Sequence, residues 1–114
     1  MQDNSNLIIG GRAEKLLKRL EAISITFPNR IARIKGKREI PKGGYEKVEV
    51  LIFRGFSSCT THPTSYDPSS SPLPKGTCLL EGEILQGPMN PSEEISITGS
   101  CQPQELLDES QWRD

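Results

Sequence analysis

The chain has 114 residues, of which 33% are hydrophobic and 5% aromatic, and a formal net charge of −1. Such a length allows one domain with a modest core, and the apolar share is lean for a globular chain. No run approaches the ~20 apolar residues that span a bilayer, and residues 1–6 have neither a basic n-region nor an apolar h-region, so no membrane span, secretory signal or transit peptide is expected and the expected home is the cytoplasm.

The first predicted element is a helix over residues 11–25. Ala13, Leu16, Leu17, Leu20 and Ile23 recur at helical spacing and form one apolar stripe. Glu14 precedes Lys18 by four residues, a favourable helical pair. The β-branched run before Pro28 ends the helix. Arg12, Lys15 and Arg19 form a basic row on its outer side.

β structure follows. Over residues 30–37, Ala32 and Ile34 alternate with Arg33 and Lys35, and Pro41, Gly43 and Gly44 make a turn. Residues 45–56 form the strongest predicted strand, with Val48, Val50 and Ile52 on one face and Glu49, Leu51 and Phe53 on the other. Together the two runs predict a β-hairpin. Residues 57–75 differ in kind. Pro63, Pro68, Pro72 and Pro74 forbid a central strand or a helix, which leaves a long Pro/Ser loop. Strand pattern returns over residues 77–85 and briefly over 95–98. Pro103 opens a short terminal helix over residues 104–111, whose few apolar residues predict fraying.

Without an internal repeat, this order predicts an α+β fold: an N-terminal amphipathic helix on a small antiparallel sheet or open barrel of about four strands. Residues 1–10 are expected to be a flexible N-terminus, 11–100 a single domain and 101–114 an acidic tail.

Charge is divided along the chain. Twelve Lys and Arg against 6 Asp and Glu precede Ser58, and 2 against 9 follow, which accounts for the 14 and 15 of the whole. Such polarity steers a charged partner, or cancels if the halves pair across a sheet. The basic row of the helix, with Arg33 and Lys35 in the hairpin, suits a phosphate backbone; the few aromatics and the absence of a stacking motif favour a solvated face instead.

Cys59 and His62 lie three residues apart in a hydroxyl-rich loop, a spacing that suits a thiolate–imidazole pair, but no residue of known geometry orients the histidine. Cys59, His62, Cys78 and Cys101 contain the donor types of a zinc site but lack a second close ligand pair. An odd number of cysteines without a signal predicts reduced thiols. No phosphate loop, nucleophile elbow or kinase set occurs, so no cofactor is expected.

The run Glu49-Val50-Leu51-Ile52-Phe53-Arg54-Gly55-Phe56-Ser57-Ser58, followed by Pro63-Thr64, Asp67-Pro68, Leu73-Pro74 and Pro88-Met89-Asn90-Pro91, resembles an uncharacterised domain family of cyanobacteria and plant chloroplasts. The resemblance covers about residues 11–98. It implies a cyanobacterial home and no known activity, and it does not include Cys59 and His62 among its fixed features. It directs attention to Arg54, Gly55, Phe56, Ser57, Ser58, Pro63, Thr64, Asp67 and Pro68 as a binding loop. The expected function is accordingly a non-enzymatic accessory module that docks on a protein partner. An RNA-binding role for the basic helix and hairpin comes second, and an enzyme using the Ser/Cys/His loop third.

Overall fold

A computed structural model describes residues 8–61, 73, 76–87 and 95–113. It bears out the α+β class. The described residues form β1 (Ile8–Ile9), α1 (Gly11–Thr26), β2 (Arg30–Glu39), β3 (Tyr45–Phe53), β4 (Phe56–Cys59) and β5 (Thr77–Gln86). Two 3₁₀ turns, Pro103–Leu107 and Glu109–Trp112, follow. The sheet is open, all antiparallel and ordered β1-β5-β2-β3-β4.

The strand period sets two faces. On the inner face Ala32, Ile34 and Gly36 of β2 stand beside Ile52, Val50 and Val48 of β3 and beside Ile84, Gly82 and Leu79 of β5. Helix α1 lays Ala13, Leu16, Leu17 and Leu20 on this face, all buried. Each leucine removed from water stabilises the fold by about 1.5–3 kcal/mol. Ile23 is only partly buried. The next residue on the stripe is Ser24, which is fully buried. Its hydroxyl donates to the Glu21 carbonyl at 2.6 Å and accepts from the Gly55 amide at 2.7 Å. Ser24→Ala therefore strands the Gly55 N–H, and chemical denaturation is expected to show a loss of about 1–3 kcal/mol.

Four local expectations are corrected. The run 45–56 is not one strand: it folds back at Arg54 and Gly55, whose φ angles of 51° and 90° suit a two-residue hairpin turn between Phe53 and Phe56. Part of the N-terminus expected to be flexible is paired, Ile8 with Leu79 and Ile9 with Cys78. Residues 95–98 make a single bridge, Ser96 to Leu85, rather than a strand. The terminal helix is instead two 3₁₀ turns that close the core, with Leu106 and Trp112 fully buried. The Trp112 indole donates to the Leu106 carbonyl at 2.7 Å, and its ring stacks on Phe27 with centroids 6.1 Å apart. Gly82 makes room for Leu106, since a Cβ there would lie 2.9 Å from both Leu106 Cδ1 and Ile34 Cδ1.

One irregularity shapes the sheet. The β2–β5 register shifts between Lys35 and Gly36, because Leu80 is an extra residue on β5. Such a bulge bends its strand and increases the local twist.

Candidate functional site

The outer face of the sheet is the broadest surface on which functional side chains gather. Neither α1 nor the 3₁₀ turns pack on it, since both insert into the core on the other side. Along β2 it carries Ile31, Arg33, Lys35 and Lys37, opposite Phe53, Leu51, Glu49 and Lys47 of β3. On the other flank of β2 stand Leu85, Glu83, Glu81 and Cys78 of β5. One end is thus apolar and the other basic.

The register brings the two charged halves of the chain together. The basic first half and acidic second half meet along β2 and β5, where Arg33 faces Glu83 and Lys35 faces Glu81. Arg33 Nε donates to Glu83 Oε1 at 2.8 Å, with both side chains 16% exposed. Arg33 is therefore a partner of the acidic half and not an open basic residue. Lys35 is exposed.

The basic row of α1 lies elsewhere. Arg12, Lys15 and Arg19 line a groove of about 240 Å³ with Ile8, Leu16, Gln104 and Leu107. Since α1 covers the inner face, this row and the Lys35 surface lie on different sides of the molecule. The helix and hairpin do not form one basic patch.

The Arg54–Ser58 segment is an edge hairpin seated on the end of α1. Arg54 Nε donates to the Pro28 carbonyl at 3.0 Å, and its guanidinium lies 4.7 Å from the centre of the Phe53 ring. Gly55 adopts positive φ against Ile25, where a Cβ would come within 3.0 Å of Cγ1. The Ser57 hydroxyl donates to Glu21 at 2.6 Å. Gly55 and Ser57 thus anchor the hairpin, while Phe56, 80% exposed, and Ser58 face outward. Pro63, Thr64, Asp67, Pro68 and His62 lie outside the described residues.

The three cysteines are free. Cys59 is buried on the inner face beside Val50, whereas Cys78 stands beside Lys37 on the outer face. Three strand spacings, about 14 Å, also separate β4 from β5, so the two thiols do not share a metal. Among the described residues no group of three His, Cys, Asp or Glu is placed to hold one. Burial raises the Cys101 thiol pKa, with Glu105 and then Glu83 adding repulsion. Less thiolate is present at any given pH, so Cys101 is expected to react more slowly with iodoacetamide at pH 8 than an unperturbed thiol, with a rate that keeps climbing at higher pH. Peptide-resolved labelling measures this directly.

A small open-sheet α+β domain, with one face closed by a helix and the other carrying exposed side chains beside the buried Ile31 and Leu85, is a scaffold suited to binding. Residues 17–109 match the family model of a domain of unknown function, DUF7734, and the chain belongs to that family. The expectation of an uncharacterised family is thereby borne out. No curated protein and no solved structure matches the chain. No helix among the described residues is long and apolar enough to cross a membrane.

Proposed function

We propose that the chain is a cytoplasmic accessory module of a cyanobacterium that docks on a protein partner through the Phe53–Phe56 hairpin at the apolar end of its outer sheet face. The observation that carries this reading is Phe56, 80% exposed at a hairpin tip that hydrogen bonds hold in place. Leaving a phenylalanine in water is unfavourable, and a rigid exposed aromatic beside an arginine is the composition of an interface anchor. Phe53 and Arg54 flank it. The matching partner surface is an apolar pocket with a carboxylate for Arg54. The loop pattern's resemblance to a cyanobacterial family supports the proposed home.

An RNA-binding role is the second reading, favoured by Arg12, Lys15 and Arg19, which form no ion pair among the described residues and share one groove. A tagged pull-down from a cyanobacterial lysate, with and without nuclease, separates the two. Partners that survive nuclease and are lost with Phe56→Asp support docking. Partners indifferent to Phe56→Asp overturn the assigned surface. Partners that vanish with nuclease, and with charge reversal of Arg12, Lys15 and Arg19, put RNA first.

A further inference from the structure

The basic end of the outer face has a different chemistry. It forms a concavity of about 830 Å³, bounded by Lys35, Lys37, Lys47, Tyr45, Leu80 and Glu81 among others. A volume of about 300–1,000 Å³ is usual for a site that holds a small organic ligand. Its origin is the bulge: the extra residue puts Leu80 and Glu81 side by side, both exposed, opposite Lys35.

The carboxylates Glu46, Glu49 and Glu81 also line the concavity. Glu46 pairs with Arg38, and Glu49 and Glu81 flank Lys35, so Lys37 and Lys47 are the ammonium groups with no carboxylate directly opposite in the register. Lys37 and Lys47 are direct cross-strand partners, and like charges so placed repel. Lys37 Nζ lies 4.3 Å from the centre of the Tyr45 ring, a contact that positions the ammonium without neutralising it. Lys35 sits between Glu49 and Glu81 in the register. Each of those carboxylates also accepts a hydroxyl hydrogen bond, Glu49 from Thr60 at 2.8 Å and Glu81 from Ser100 at 2.7 Å, and keeps its negative charge beside Lys35. Among the described residues none of the three lysines forms an ion pair. Beside them Tyr45 is 63% exposed and Leu80 48% exposed, an apolar wall next to the Lys37–Lys47 pair.

We infer that this concavity binds a nucleoside phosphate, with Lys37 and Lys47 on the phosphates and Tyr45 and Leu80 against the base. Ammonium groups act as point charges for phosphate oxygens, and an aromatic ring stacks on any base. The bound anion also relieves the Lys37–Lys47 repulsion, so binding and folding reinforce one another. The site is independent of docking at Phe56, which lies at the other end of the face.

The test is calorimetric titration of the full chain with ADP and with inorganic pyrophosphate at about 0.15 M salt, where weak surface attraction is screened. ADP is expected to bind more tightly than pyrophosphate. Lys37→Gln combined with Lys47→Gln is expected to weaken both ligands by about tenfold or more without lowering the melting temperature. Tyr45→Ala is expected to bring ADP down to the level of pyrophosphate, and Lys18→Ala on α1 to change nothing. Failure of wild type to bind either probe at about 1 mM overturns the inference, as does full binding by the double variant. Pyrophosphate equalling ADP in wild type overturns the nucleoside half. A single-stranded oligonucleotide that binds where ADP does not also overturns it.

Discussion

Trp112→Ala is expected to lower the unfolding free energy by about 3–5 kcal/mol, read as a drop in the urea midpoint with an unchanged slope. Trp112 is fully buried although it stands two residues from the C-terminus. Truncation removes the largest side chain in the core, its stacking on Phe27 and its hydrogen bond to the Leu106 carbonyl. The same segment is held from outside, since Arg30 Nε donates to the Trp112 carbonyl at 2.9 Å. Trp112→Phe separates the contributions: it keeps most of the apolar contact, leaves the Leu106 carbonyl without its donor, and is expected to lose about 1–3 kcal/mol. If the terminal segment were only an acidic appendage, both changes would fall within about 0.5 kcal/mol of wild type.

The helix and the long hairpin were legible because their apolar periods are long enough to distinguish 3.6 from 2. The missed pieces lack a period. Ile8–Ile9 is two residues long, and Leu106 and Trp112 are six apart in 3₁₀ turns, so neither shows a stripe. The Phe53–Phe56 fold-back was hidden because Arg54 occupies a turn position with positive φ, where Asn or Asp is the usual signal. Ser24 carries no apolar signal, and its place on the stripe follows from the Gly55 amide that donates to it.

The site was harder still, because its parts are related only through register. Lys35 stood out by its own charge. That Lys37 faces Lys47, and that Glu49 and Glu81 flank Lys35, depends on how three strands align. The divided charge shows the same dependence. It reads as polarity along the chain and is partly cancelled in space by Arg33 and Glu83. A strand register is set by nonlocal burial, so a linear pattern of charges leaves the choice between steering and cancellation open.

The bulge that creates the concavity yields the last prediction. Gly36→Ala is expected to destabilise the fold by at least about 3 kcal/mol, beyond the usual penalty for overpacking. A Cβ at Gly36 would lie 2.2 Å from the Cys78 carbonyl oxygen, 3.0 Å from its carbon and 3.1 Å from Leu79 Cα. All three are backbone atoms of the neighbouring strand, so no rotamer change relieves the clash. Relief requires β5 to move away from β2, which disturbs the pairing that places Leu80 and Glu81 opposite Lys35. Gly11→Ala is the matched control, because nothing lies within 4 Å of the added Cβ. There the helical preference for Ala over Gly predicts a gain of up to about 1 kcal/mol. Thermal and urea melts of both variants distinguish a tolerance for glycine replacement in general from a close approach at one point. A Gly36→Ala protein that melted with wild type would mean that β5 does not press its Cys78 carbonyl against β2, and the bulge could not then be what opens the lysine concavity.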